Sequence, residues 1–517
     1  MKAKLSRRTF LVNLTLAAAT PAILEACAKS TTTSGTALKR GGMLTMAIEG
    51  EPKTLDIHRS NLDVLRHTIR STVFDGLTWV DESLKVKPAL AESWDVSADG
   101  KTITFKLRQG VKFHDGADFT ANDVAYTIKR VQDKTSGSQY APQVSTVAGV
   151  EVVDPHTVRI TLSAPSPALL SNLIFVPIVS EKSVGTIDKS PVGTGPFKFV
   201  EWASGDHITV AKNPNYYIKD RPLLDQIVFK IIPDAETRLT SLQSGGVLMA
   251  PIAAKDVQQV KSYSGVGVVS GKPITLYELF QINTKKPPFD DPKVREAIAY
   301  SFDRKAFVHS FWYDVARPTI NPVVEEMPAF LSRSEDRYPL DLTKAADLLK
   351  SAGFSSSNPL KVEIVNPVGY PTLHSASLLL QDNLNKIGAK ATVSDLELSA
   401  WVDHIKVHPV YDVTTGNYNT VPEDPAGMFN STALAPALNI SRYNPTGYAD
   451  SVNKAATETD PRTRIALYRQ LQTQLLDDVP LIVFDHYPTL LGSSQKVRGF
   501  AFGPSGLWDF SQAGLSS

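Results

Sequence analysis

The chain has 517 residues, with 54 Lys and Arg against 53 Asp and Glu, and a single cysteine, Cys27. This balance supplies no basic stripe for nucleic acid, and one cysteine excludes an intramolecular disulfide. The length calls for about three domains, and beyond residue 26 no apolar stretch reaches the roughly 20 residues that span a bilayer.

Export is written at the start. Lys2, Lys4, Arg7 and Arg8 precede an apolar run, residues 10–19, which is broken only by Asn13 and Thr15 and leads to Pro21. Positive charge, a short apolar stretch and then small residues make a signal peptide, residues 1–26. Ser6-Arg7-Arg8-Thr9-Phe10-Leu11 resembles the twin-arginine signal, in which Arg7 and Arg8 are read by the twin-arginine export machinery; an ordinary positive leader is the other reading. Leu24-Glu25-Ala26-Cys27 resembles a lipobox whose cysteine becomes a lipid anchor, although Glu25 departs from that pattern. Ala26-Cys27-Ala28 alternatively forms a site for ordinary signal peptidase. Residues 27–38, rich in Ser and Thr, form a flexible linker. Removing residues 1–26 takes away four basic residues and one acid, leaving 50 against 52 and a net charge of −2.

The body of the chain mixes strand and helix signals. Residues 94–96 and 102–108 around Asp99-Gly100 form a β-hairpin, with Ile103, Phe105 and Leu107 on one face. Thr120 caps a helix that carries Val124, Ile128 and Val131 along one side. Residues 157–162 alternate as a strand, as do Ile227, Phe229 and Ile231. Asp341 caps a helix over 342–352 that stops at Gly353, and Asp460-Pro461 opens another bearing Ile465, Tyr468, Leu471 and Leu475.

Catalytic signatures are missing. The sequence holds no H-E-x-x-H, no phosphate-binding P-loop and no G-x-S-x-G. Gly193-Thr194-Gly195 is followed by Pro196 rather than by the helix a nucleotide needs. Phe113-His114-Asp115-Gly116 reads as a turn in which His114 is a hydrogen-bonded scaffold residue. His404 and His408 have a helical metal-ligand spacing but no nearby third ligand. We therefore expect neither metal nor cofactor, and no enzymatic activity; an extracellular hydrolase such as a glycosidase is the alternative.

The stretch 87–131, "KPALAESWDVSADGKTITFKLRQGVKFHDGADFTANDVAYTIKRV", resembles the signature of the peptide/nickel class, family 5, of extracellular solute-binding proteins of ABC importers. Gly41-Gly42-Met43-Leu44, Glu51-Pro52-Lys53-Thr54-Leu55-Asp56, Val73-Phe74-Asp75-Gly76-Leu77, residues 191–202 ("PVGTGPFKFVEW"), Asn213-Pro214-Asn215-Tyr216-Tyr217 and residues 292–298 follow in the family's order. The resemblance implies an α/β, two-lobed periplasmic-binding-protein-like fold of type II, cluster C-like, with three domains. Domain I would comprise 39–73, 191–280 and 484–517, domain II the inserted 74–190, and domain III 281–483. Hinge crossings would then fall near Phe280-Gln281-Ile282-Asn283 and Leu481-Ile482-Val483-Phe484. The implied protein is a monomer at the outer face of the membrane or in the periplasm, with a small-molecule or oligopeptide ligand and an ABC permease and ATPase as partners.

Ligand class is expected from residues 401–425, "WVDHIKVHPVYDVTTGNYNTVPEDP", similar to the pocket-lining stretch of the family's peptide binders. There an acid four residues before the proline pairs with the peptide amine; here that residue is Val421. Thr415 stands where some oligopeptide binders carry an arginine, and Glu423 or Asp424 could substitute for the missing acid. A buried ammonium without a carboxylate costs several kcal/mol, so Val421 disfavours a free α-amine. Trp401, Asn417, Tyr418 and Asn419 remain as neutral contacts, suited to sugar rings, capped peptides or other uncharged polar ligands. Trp401 could instead pack in the domain III core. Asp63 and Val64 align with the family's ligand-facing loop in domain I.

Overall fold

The computed structural model describes residues 38–60, 63–81, 83–272, 276–334, 337–419, 424–503 and 506–516, with the backbone alone at Asp63 and Asn419. Arg7, Arg8, Cys27, Val421 and Glu423 lie outside the described residues. Residues 38–517 form one compact unit containing three principal sheets, each with its own apolar cluster.

The first sheet has seven strands, in the order Val266–Ser270, Leu490–Ser494, Met249–Pro251, Met43–Ile48, Gln226–Ile231, His207–Lys212 and Phe197–Ala203. Met43–Ile48 lies parallel to Gln226–Ile231, with Leu44 opposite Ile227 and Met46 opposite Phe229. These four side chains are fully buried in one cluster with Phe197, Ile208 and Val210. The C-terminal strand Leu490–Ser494 returns to this sheet, so domain I is discontinuous.

The inserted domain is a four-stranded antiparallel sheet covered by a helix. The expected hairpin pairs Ala91–Val96 with Thr102–Leu107, placing Trp94 opposite Phe105. Gly100 at its turn has φ 68°, a conformation that suits glycine because a Cβ there meets the backbone. The helix Ala121–Gln132 starts with a capping box: the Thr120 side chain receives a backbone N–H, and the Thr120 N–H donates to Asp123 Oδ2 at 2.9 Å. This reciprocal arrangement satisfies two donors that a helix start leaves open. Val124, Ile128 and Val131 are buried against the sheet. The domain's cluster runs from Leu77 to Ile178, whereas Val179 and Ile187 already pack with the first sheet's cluster.

The third sheet has six strands in the order Arg317–Pro318, Leu481–Tyr487, Leu276–Ile282, Val413–Asn419, Lys361–Pro367 and Lys390–Leu396. One face packs Phe280, Phe302, Phe307 and Phe484 together, with ring centroids 5.0–5.8 Å apart. The other buries Tyr277, Leu279, Leu481 and Val483. Buried on both faces, Leu276–Ile282 and Leu481–Tyr487 therefore read as largely apolar runs, each interrupted by an acid.

This sheet moves the hinge. Leu276–Ile282 and Leu481–Tyr487 belong to it along their whole lengths. The chain thus passes from the first sheet to the third between Ser270 and Leu276, and returns between Tyr487 and Leu490. The expected crossings, Phe280–Asn283 and Leu481–Phe484, instead lie inside domain III. An apolar strand buried on both faces carries no sequence mark of which sheet it joins.

Candidate functional site

Between the first and third sheets lies a cavity of about 850 Å³. Domain I contributes Glu49, Val64, His67, residues 251–255 and Trp508; domain III contributes Leu276, Trp312, Tyr370, Thr372, Asn417 and Tyr487. Two stacked ring pairs stand on its wall. His67 lies on Trp508 with centroids 4.4 Å apart and planes 13° off parallel, and Trp312 lies on Tyr487 at 4.4 Å and 20°. Each pair joins residues more than 170 positions apart in the chain, one from each end of a discontinuous domain or from separate elements of the third.

The electrostatics of this wall are those of a neutral site. Among the described residues it carries two charged groups, and both are paired: Glu49 with Arg238 at 2.9 Å and Lys255 with Asp256 at 2.7 Å. Burial pushes the His67 imidazole well below its ordinary value, reinforced by neighbouring Arg66, so this ring is uncharged. Unmet hydrogen-bonding capacity is present instead. His67 Nδ1, Trp312 Nε1 and Trp508 Nε1 are buried without a protein partner. A buried polar atom in that state costs free energy.

The residues expected from sequence divide between wall and core. Val64 and Asn417 are on the cavity wall, and Asn417 Nδ2 donates to the Tyr487 hydroxyl at 2.5 Å. Asp63 begins the short helix Asp63–Leu65, and Asn419 ends the strand Val413–Asn419. Trp401 packs against a small core of Val365, Ile405, Tyr411 and Ile440, and its indole N–H donates to Thr414 Oγ1 at 2.9 Å. Tyr418 stacks on Tyr277 and donates to Gln281 Oε1 at 2.6 Å. Neither Trp401 nor Tyr418 is on the cavity wall. Thr415 is fully buried and donates to Asn366 Oδ1 at 2.9 Å. Asp424 is unsuited to replace the missing amine-binding acid, because both its oxygens receive the Arg464 guanidinium at 2.7 Å.

Behind the wall lies a buried acid pair, Glu278 and Asp485, each at most 1% exposed. Thr372, on the wall, donates its hydroxyl to Glu278 Oε1, and the Glu278 N–H donates to Asp485 Oδ1 at 3.2 Å. Burial pushes Glu278 up to about 7. Burial, followed by the Glu278 charge, raises Asp485 well above the usual carboxylate range. Neither acid was expected to matter from the sequence, although an acid inside each of two apolar strands is a usable signal.

His114 is a scaffold residue: its Nε2 donates to the Gly195 carbonyl at 3.0 Å, and its Nδ1 accepts the Gly193 N–H at 3.3 Å. Burial lowers its pKa to about 4, consistent with that neutral tautomer.

Two lobes enclosing a mostly apolar cavity with a few polar side chains on its wall define a small-molecule binding protein. A profile of the bacterial extracellular solute-binding proteins, family 5, matches residues 85–437. The chain belongs to this family, the solute-binding components of ABC importers, and has its two-lobed type II fold. It is 28% identical over 486 residues to the glutathione-binding protein GsiB of Shigella flexneri serotype 5b, covering 91% of this chain and 94% of the relative. To di/tripeptide-binding protein 2 of Pseudomonas aeruginosa it is 29% identical over 518 residues, covering 91% and 96%. Among solved structures, the ABC transporter-associated periplasmic binding protein DppA of Helicobacter pylori, in complex with the peptide STSA, superposes with a TM-score of 0.78. That match is 25% identical and covers 93% of this chain and 99% of the other.

Proposed function

We propose that this protein captures an uncharged polar solute and delivers it to a membrane permease and its ATPase. The solute is a modified or amine-blocked peptide-like molecule, or an oligosaccharide. The observation that carries this reading is the wall itself: its described charges are internally paired, and two stacked ring pairs stand on it. Ring faces favour apolar or ring-bearing parts of a ligand. The names of the relatives support a peptide-like ligand, and Val421 in place of an acid argues against the ordinary free amine. Calorimetry with matched tripeptides tests this. N-acetylated tripeptide amides are expected to bind at least about tenfold more tightly than their free-amine counterparts, about 1.4 kcal/mol. Equal or tighter binding of simple di- and tripeptides would refute the exclusion.

Export and anchoring complete the proposal. Arg7 and Arg8 direct the chain to the twin-arginine machinery, and acylated Cys27 holds a monomer at the outer membrane face near its permease. Several acyl chains together give a stable anchor where one does not. Wild-type cells fed labelled palmitate should incorporate label into the protein, and Cys27→Ala cells should not. Label absent from wild type would favour cleavage by ordinary signal peptidase.

A further inference from the structure

The pair Glu278–Asp485 sits on the two strands by which the chain enters and leaves domain III. A β-bulge creates it. Phe280 pairs with Ile482 and Leu279 with Val483, but Glu278 then pairs with Asp485, so Phe484 is an extra residue. Side chains alternate along a strand, and an inserted residue reverses the alternation. In unbroken alternation Asp485 would share the face of Leu481 and Val483; because Phe484 is the bulged residue, Asp485 turns instead to the face of Glu278. The result is two carboxyls side by side in a dry interior, with no ion pair to any described residue.

Their hydrogen bonds are incomplete in a specific way. Thr372 and the Glu278 N–H each satisfy one oxygen, leaving Glu278 Oε2 and Asp485 Oδ2 unpartnered. The neighbouring indole N–H of Trp312 faces both carboxyls without a well-formed hydrogen bond to either. Two touching carboxyls cannot both ionise cheaply, and a proton between their free oxygens satisfies both. The connection to the cleft is short. Thr372 and Trp312 border the pair and line the cavity, Trp312 stacks on Tyr487, and Tyr487 receives Asn417.

We propose that Glu278 and Asp485 are a proton-linked positioning pair: the proton between them sets the Trp312–Tyr487 wall of the cleft, and its loss loosens that wall and weakens ligand capture. The inference rests on the cleft being the ligand site.

The surrounding charges do not offer a replacement for that proton. His486, next on the same strand, is held neutral by burial, its pKa lowered to about 3. Arg317 on the adjacent strand pairs with Glu325 and Glu326. Across the cavity stand the neutral His67 and the pairs Glu49–Arg238 and Lys255–Asp256. The direction follows from linkage. A carboxyl raised on folding has its favourable protonated state fully present below its unfolded value of about 4.5, and loses it as pH rises through about 7.

Tryptophan emission tests this without a known ligand. The chain has six tryptophans, so the Trp312 signal is taken as wild type minus Trp312→Phe. In ligand-free protein this difference should titrate near neutrality, and Glu278→Gln should abolish the titration; Asp485→Asn is the second variant if the first folds poorly. With N-acetyl-trialanine amide as probe, binding to wild type should weaken about threefold or more between about pH 6 and about pH 8, while Glu278→Gln binds equally at both. A flat emission difference, or a titration that survives in both variants, overturns the proposal, as does probe affinity that is independent of pH in wild type. If the probe fails to bind at any pH while the Glu278-dependent titration is present, the proton-linked wall stands and the proposed ligand class falls.

Discussion

Arg464 reaches Asp424 through both terminal guanidinium nitrogens, at 2.7 Å each, with the two side chains 12% and 8% exposed. Asp424 also caps the turn that follows by accepting the Ala426 N–H at 2.8 Å, and the Arg464 guanidinium lies 5.0 Å from the Tyr468 ring centroid. An acid that proximity in sequence made a candidate for ligand chemistry is thereby committed to holding the helix Pro461–Asp478 against the loop after the strand Val413–Asn419. Removing one member of a buried pair strands the other charge, at a typical cost of about 3–5 kcal/mol. Arg464→Ala should therefore lower the urea-unfolding free energy by roughly that amount. In the ligand reading, by contrast, Arg464→Ala would free Asp424 and improve binding of free-amine tripeptides in a protein of unchanged stability. Unfolding curves and calorimetry on the same preparation separate the two.

Elements with local signals were legible in the sequence. Asp341 accepts the Lys344 N–H at 2.9 Å, and Asp460 the Thr463 N–H at 2.8 Å. Both caps stand where a short polar acceptor before an apolar periodic stretch placed them, because capping is decided within four residues. The hairpin around Gly100 was legible for the same reason. What the sequence withheld are the features made by distant strands. The Phe484 bulge exists only against the register of Leu276–Ile282, some 200 residues earlier. The same holds for the site. Val64 and Asn417 followed from family resemblance, whereas His67–Trp508 and Trp312–Tyr487 are pairs whose members have no local reason to meet. Trp401 and Tyr418 show how ambiguous such a motif is. Aromatic residues beside a pocket motif serve equally well as core, and their hydrogen bonds to Thr414 and Gln281 fix them there.

At the scale of the whole molecule, the three domains are joined in two different ways. The two crossings between domains I and II lie side by side on the domain I edge: a Cβ on Gly193 would lie 2.0 Å from the Val73 carbonyl oxygen and one on Gly195 2.5 Å from that of Thr72. The Gly195 N–H donates to the Val73 carbonyl at 2.9 Å, and His114 of domain II clamps both glycines. Such a junction has little room to shear. Domain III is connected to domain I by the two short passages 270–276 and 487–490, with the large cavity between them. Closure of the lobes around a ligand would turn where the chain passes between the first and third sheets, the usual form of hinge motion. Spin labels at three exposed positions would test this: Asp154 in domain II, Glu201 in domain I and Lys361 in domain III, introduced into protein with Cys27→Ser as its unlabelled background. Saturation with any ligand found by calorimetry should shorten the Glu201–Lys361 distance and leave Asp154–Glu201 unchanged. If both distances change together, the domain I–II junction is not the rigid body its glycine contacts describe; if neither changes, capture in this protein does not proceed by closure of the lobes.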